Sequence, residues 1–391
     1  MTGRLRQGSP RQRSVASGKT RGRRDCAATL PDVAESNETN DGREADGGLL
    51  PSGLAPVLRD PAAALGRRVL TGYRPTGRLH VGHLLGNIRS NLALQHGSEC
   101  FFFVADWHAL TTGYEDTTDL RANVVEMVAD LVAAGLDPER AVIYRQSDVP
   151  AVAELNVYLS MITPLGWLER NPTHKEQLRE LSTRQINTIG NLGYPVLQTA
   201  DITAVDGEVV PVGEDQLPHL EIAREIVRRL AHLYGASLLV EPAALVSVGA
   251  RVLGWDGRKM SKSYDNAIFL DDPSDAVAEK CRRYVTDPEK ARKDDPGRPE
   301  VCSVFAMHEL VTPAADVTVV DEECRAGARG CVACKAELAT NLEALIAPVR
   351  ERKADLLAEP GRIDDILADG ARRVAPVAEA TLARVRSGVR L

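Results

Sequence analysis

Hydrophobic and polar positions alternate in blocks along the middle of the chain. Val69-Leu70 is a short apolar run closing on Arg74-Pro75-Thr76-Gly77, after which Leu84-Leu85-Gly86-Asn87-Ile88 takes up helical spacing. That order predicts a buried strand, a Pro/Gly turn and a helix. Cys100-Phe101-Phe102-Phe103-Val104-Ala105 is apolar throughout and stops at Asp106. A strand buried on both faces of a parallel sheet reads this way, and polar residues at its carboxyl end sit where open α/β sheets place ligands. Asp106-Trp107-His108 is therefore expected to line a cleft. Leu120 to Leu136 carries a helical period and stops at Gly135 to Pro138, and Ala141 to Tyr144 reads as the next strand. Strand alternating with helix predicts a doubly wound parallel sheet.

From Ala151 to Asn191 the pattern is helical and increasingly polar, broken at Asn171-Pro172-Thr173. This stretch is expected to be an insertion between two halves of the sheet domain, with Lys175, Arg179 and Arg184 as its cations. In Tyr194-Pro195-Val196-Leu197-Gln198-Thr199-Ala200-Asp201-Ile202, Pro195 suits a first helical position, so Tyr194, Gln198 and Asp201 share one face. Such a polar face amid apolar neighbours needs partners, from a bound ligand or from the fold itself. Val209 to Gln216 is an apolar run ending in Gly213-Glu214-Asp215-Gln216, and Leu217 to Tyr234 is an amphipathic helix. Beyond Asp272 helices are expected over 273–284, 335–351 and 363–387. The domains read as a sheet domain over 65–272, with the insertion at about 151–191, and a helical domain over 273–391.

Composition changes the picture at the chain's start. Residues 1–24 are rich in Arg and Lys and free of acids, and Asp and Glu dominate the next two dozen. So polar a segment cannot offset its conformational entropy, and residues 1–64 are expected to be a disordered extension, an RNA-contacting arm or a targeting peptide. No apolar run approaches the roughly 20 residues of a membrane span, so a soluble cytoplasmic protein is expected. The net charge of −7 opposes indiscriminate nucleic-acid binding while leaving room for a local basic face. Of seven cysteines, Cys302, Cys324, Cys331 and Cys334 cluster as Cys-x21-Cys-x6-Cys-x2-Cys, pointing to a metal site rather than a disulfide framework.

Two stretches carry candidate chemistry. His80 and His83, three apart, share a helix face on a first turn, where exposed N–H groups and the macrodipole favour an anion. Gly77 and Gly82 leave room for a bulky ligand. Gly257 to Tyr264 sets Lys259 and Lys262 among small hydroxyl residues, a flexible cationic loop suited to phosphates. Each alone has an ordinary reading, as polar residues on a turn or a solvated loop.

Together, His80-Val81-Gly82-His83 and Lys259-Met260-Ser261-Lys262-Ser263 resemble the HIGH and KMSKS signatures of the class I aminoacyl-tRNA synthetases. With Arg74-Pro75-Thr76-Gly77, Val104 to Leu110, Tyr194 to Asp201 and Val210 to Gln216, the chain from Val69 to Leu391 resembles a bacterial-type tryptophanyl-tRNA synthetase. The resemblance implies a Rossmann-like sheet domain followed by a helical anticodon-binding domain, in a homodimer. It implies activation of L-tryptophan by ATP with Mg²⁺, then transfer to tRNA(Trp). His80, His83, Lys259 and Lys262 would meet the phosphates and carry catalysis. Arg74, Thr76, Gly82, Met260 and Ser261 would complete the ATP site, with Gly213 and Asp215 at the ribose. Asp201 would accept the indole N–H, and Tyr194 with Gln216 would hold the amino group, beside Gln198, Val210 and Val212. The chain departs from the family at Gln198, where many relatives carry Met, and at Leu178, which replaces a second insertion lysine.

A tyrosyl-tRNA synthetase shares this architecture and a similar Tyr, Gln and Asp face, and an inactive paralogue binding tRNA or a regulator is the other alternative. The Val210 to Gln216 segment and the cysteine pattern favour tryptophan, and the intact signatures favour an active enzyme. Four thiolates suit zinc or a four-iron cluster equally by spacing. A subset of tryptophanyl-tRNA synthetases carries a [4Fe–4S] cluster on a similar pattern, so the resemblance implies that cluster, with Zn²⁺ as alternative.

Overall fold

Five strands, β1 Arg68–Tyr73, β2 Glu99–Val104, β3 Val142–Arg145, β4 Val209–Val212 and β5 Ala243–Val246, form one parallel sheet in the order β3-β2-β1-β4-β5. The computed structural model describes residues 60–180, 186–235, 237–246 and 252–391. Most of the extension expected to be disordered, and Arg184 of the insertion, lie outside the described residues.

Successive residues of a strand face opposite ways, and here both ways are apolar. Val69, Cys100, Phe102, Val104, Ile143 and Val209 enter one core, while Leu70, Phe101, Phe103, Tyr144, Val210 and Val212 enter the other. That double burial is why Cys100 to Val104 lacks a polar alternation. Helices Leu120–Ala133 and Cys331–Ala358 cover the first face. Helices Pro150–Ile162, Tyr194–Ala204 and Leu217–Tyr234 cover the second.

The last helix, Arg362–Val389, serves both cores: Ile363, Ile366 and Leu367 enter the first, and Val374, Ala378, Leu382 and Val385 the second. It crosses β3 at Gly370, where a Cβ would collide with the Ile143 carbonyl. Gly370 thus lets the helix shield an otherwise open sheet edge. The expected insertion begins in Pro150–Ile162, whose Ala151, Val152, Leu155 and Leu159 are buried, while helix Pro172–Glu180 within it is polar.

Two expected helices are longer than read. The one expected over 335–351 runs from Cys331 to Ala358 through Pro348, and the last spans Arg362–Val389 rather than 363–387. Cysteine and small residues hid the first start, since they carry little periodic signal. Helices Ser303–Val311 and Ala314–Arg325 had no counterpart in the sequence reading. Among the described residues no helix is long and apolar enough to cross a membrane.

Candidate active site

The strand order reverses between β1 and β4, so a crevice opens at their carboxyl ends. β1 leads there to Arg74 and Thr76, and β4 to Gly213, Glu214, Asp215 and Gln216. The predicted phosphate and ribose groups therefore converge from two strands distant in sequence.

His80 is the extended residue capping helix Val81–His83, which continues through a π-helical turn, Leu84–Ile88, into Arg89–Leu94. The histidine rings lie against each other, 3.6 Å between centroids with planes tilted by 33°. The His80 backbone N–H donates to His83 Nδ1 at 3.1 Å, which leaves the proton of a neutral His83 on Nε2. Burial, then His83, Lys262 and Lys259, lower the pKa of His80 to about 3. Burial followed by the two lysines lowers His83 to about 4. The expectation of an anion site on this turn needs refining, because these are neutral hydrogen-bond donors at pH 7 and the cationic charge belongs to the lysines. A Cβ at Gly82 would lie 2.9 Å from the His80 ring and 3.4 Å from the Met260 side chain, so glycine permits the two signatures to touch.

The lysine loop is held by internal bonds. Asn266 accepts from the Ser261 N–H at 2.8 Å and donates to Asp256 at 2.7 Å and to the Lys259 carbonyl at 3.2 Å. Met260 is buried and anchors the loop. Lys262 Nζ reaches across to donate to the Thr76 carbonyl at 2.7 Å and its hydroxyl at 3.1 Å. The two signatures thus close over the crevice. Arg74 donates to the Thr112 hydroxyl at 2.6 Å, while its Nε is buried with no partner among the described residues.

The Tyr194–Ala204 helix brings Tyr194 and Asp201 against His108. Asp201 is 1% exposed, and its carboxylate meets His108 Nε2 at 2.8 Å and Gln146 Nε2 at 2.7 and 3.0 Å. Burial raises its pKa, against the His108 and Gln146 contacts. Tyr194 packs against His108 with ring centroids 4.3 Å apart and planes tilted by 55°, and burial raises its pKa, with Arg74, Asp201 and Asp215 all acting on its hydroxyl. Those interactions bring residues from β1, β4 and the helix to one place. Gln198 Oε1 and His108 Nδ1 are buried without a partner among the described residues, as groups awaiting a ligand would be. Val210 and Val212 are buried in the second core. Gln216 donates to Asp215 at 2.7 Å, so its amide is tied to its neighbour.

Asp106 does not project into the cleft as expected. It accepts from the Trp107 and Ser147 N–H groups at 3.0 and 3.1 Å and from the Ser147 hydroxyl at 2.5 Å, joining the ends of β2 and β3. Trp107 instead lines a cavity of about 400 Å³ with Leu110, Thr111, Gly193 and Leu197, and none of Tyr194, Gln198, Asp201 or Gln216 is in its wall. Gln146 was missed from sequence, although its place one residue past an apolar strand is the signal that drew attention to Asp106. In helix Pro172–Glu180, Lys175 and Arg179 are exposed.

Cys302, Cys324, Cys331 and Cys334 line one cavity, with Lys290 and Arg329 among its walls. Cys331 and Cys334 occupy the first turn of their helix. Burial pushes the Cys334 thiol up to about 12. Among the described residues, no three His, Cys, Asp or Glu side chains are grouped to hold a metal ion.

A parallel sheet with this switch point, joined to paired histidine and lysine signatures, defines a nucleotide-activating enzyme of the class I synthetase type. The family model for tRNA synthetases class I (W and Y) matches residues 66–347, and the chain belongs to that family. It is 40% identical to the tryptophan–tRNA ligase of Aquifex aeolicus, over 83% of this chain and 100% of that protein. It is 43% identical to that of Thermotoga maritima, over 83% and 99% of the two chains. The crystal structure of Campylobacter jejuni tryptophanyl-tRNA synthetase complexed with ADP and tryptophane matches with a TM-score of 0.76 and 33% identity, covering 83% of this chain and all of that one.

Proposed function

We propose that this protein is a tryptophan–tRNA ligase, which activates L-tryptophan with Mg²⁺-ATP and passes it to tRNA(Trp). One observation carries the reading: Lys262 docks on Thr76, so the lysine loop and paired histidines face one another across the β1–β4 crevice. The tryptophan carboxylate attacks the α-phosphate and pyrophosphate leaves. Little covalent help is needed, because alignment and stabilisation of developing negative charge supply the catalysis. Lys259 and Lys262 supply charge, His80 and His83 donate as neutral imidazoles, and Met260, Ser261 and Gly82 shape the loop contact. Arg74 and Thr76 receive phosphates, with Gly213 and Asp215 at the ribose.

In this reading Asp201 accepts the indole N–H, Tyr194 and Gln216 hold the amino group, and Gln198, Val210 and Val212 complete the pocket. A substrate lacking that N–H would leave a buried acceptor unpaired, at a cost that gives selectivity. Residues 65–272 are the catalytic part, with 151–191 as its insertion, and 273–391 face the tRNA anticodon. In this reading the protein works in the cytoplasm as a homodimer.

Cys302, Cys324, Cys331 and Cys334 hold a [4Fe–4S] cluster, with Zn²⁺ as the alternative. Four thiolates and a four-iron core in its usual oxidised state carry about two negative charges; the cavity wall offers Lys290 and Arg329, the latter already paired with Glu323 and Glu337, beside Asp287. The cluster's role is structural or in tRNA docking, away from the chemistry.

Charging of tRNA(Trp) with tryptophan, and no charging of tRNA(Tyr) with tyrosine, is the expected result. Charging with tyrosine alone would overturn the reading. Anaerobically purified protein should hold about four iron and four sulfide per chain. One zinc per chain would replace the cluster, and metal-free protein would reject both.

A further inference from the structure

Lys353 is a lysine on the first-core side of helix Cys331–Ala358, and it is only 3% exposed. Its Nζ lies 2.7 Å from Glu126, 2.9 Å from Asp130 and 2.8 Å from Asp271. Burial opposes its charge, but Asp130, Asp271 and Glu126 outweigh that and hold the ammonium above its usual range. So buried a cation is kept only where carboxylates compensate it.

What those carboxylates grip makes the cluster more than a structural ion pair. Asp130 also accepts the Leu79 backbone N–H at 2.7 Å, one residue before His80. Asp271 takes Arg78 Nε at 2.7 and 3.0 Å, and Asp272 takes Arg78 Nη2 at 3.2 Å and the Lys280 ammonium at 2.5 Å. The same helix sends Arg350 to the Asp272 carbonyl at 2.7 Å. Between these anchors the two signature segments pair directly, Val81 N–H to Ile268 carbonyl at 2.9 Å and Leu270 N–H to Leu79 carbonyl at 3.0 Å. The Asp130 and Arg78 charges are also felt at Lys262.

We propose that Lys353 is a positioning residue for adenylation: from the C-terminal helical region it fixes the backbone entering the histidine signature against the backbone leaving the lysine loop. Its loss lets the two signatures shift relative to each other while the tryptophan pocket, built on another helix and the opposite core, is untouched. A misplacement of about 1 Å can cost on the order of a hundredfold in rate.

This rests on the reading that these signatures adenylate tryptophan, so wild-type ATP–pyrophosphate exchange is the internal reference. In full-length protein, Lys353→Met should lower the exchange kcat about a hundredfold and leave KM for tryptophan within about twofold. Asp271→Asn leaves Lys353 paired with Asp130 and Glu126 but removes the charged acceptor that orients Arg78, which keeps only its longer bond to Asp272. It should lower kcat about tenfold with melting temperature nearly unchanged, and it decides the matter if Lys353→Met fails to fold. Folded variants with wild-type kcat, or kcat losses matched by equal losses of tryptophan affinity, would overturn the inference alone. Inactive wild-type protein would overturn the functional reading and the inference with it.

Discussion

Replacing Asp201 by Asn isolates the charge on which tryptophan selection is proposed to rest. The carboxylate offers about four acceptor positions; Gln146 reaches both oxygens and His108 one, which leaves room for an indole N–H. Asparagine keeps the shape. Its carbonyl still accepts from Gln146, and its amide can donate to His108 Nε2 once the imidazole proton moves to Nδ1, which is buried and unpartnered. The fold should therefore survive. The substrate loses a hydrogen bond to a charged group, worth about 1.5–3 kcal/mol. That converts to roughly ten- to 150-fold in affinity, since about 1.4 kcal/mol is tenfold. Steady-state exchange should show KM for tryptophan raised by that factor and KM for ATP within about twofold, beside a thermal melt to establish folding. A tryptophan KM within about threefold of wild type, or equal losses for both substrates, would refute the assignment of Asp201 as the indole acceptor.

Other perturbations test separate parts of the site. Lys262→Ala removes a half-exposed ammonium bound to Thr76, so exchange kcat should fall a hundredfold or more, on the order of one lost transition-state donor, with the melting temperature little changed; a loss in KM alone would show that the loop only binds. His80, at about 3, and His219, at about 4, both sit below their unfolded value of 6.5, chiefly through burial. Below 6.5 the unfolded chain binds more protons, so each costs about 1.4 kcal/mol of stability per pH unit as pH falls from 6.5 toward 4. Melting temperature should be level above pH 7 and fall between 6.5 and 4, with a shallower fall in His219→Gln; an identical slope would contradict the assignment to His219. Gly370→Ala should destabilise by at least 1–3 kcal/mol, the scale of overpacking, measured by urea unfolding, because its methyl meets the Ile143 carbonyl rather than a movable side chain.

The sequence disclosed what local periodicity and short spacing can encode. Helix Leu217–Tyr234 was legible to its end residues because its apolar stripe is unbroken and Gly235 closes it in a left-handed turn. The strand through Phe101 to Phe103 was legible because burial on both faces leaves nothing polar in it. The contacts that decide chemistry were less so. Gln146 meets Asp201 across 55 positions, and Lys353 meets Asp271 across 82, and no pattern within a window of a few turns reports such pairs. Lys353 and Gly370 both look like breaks in an amphipathic helix until the sheet and its loops lie against them. The neutral state of His80 and His83 was equally hidden, because it depends on burial and on lysines brought in from the other signature.

ATP–pyrophosphate exchange, run separately with each of the standard amino acids on the full-length protein, tests the central claim most directly. Exchange should depend on tryptophan, with tyrosine and phenylalanine near background. Exchange supported by tyrosine and not tryptophan, or by no amino acid, would contradict the account.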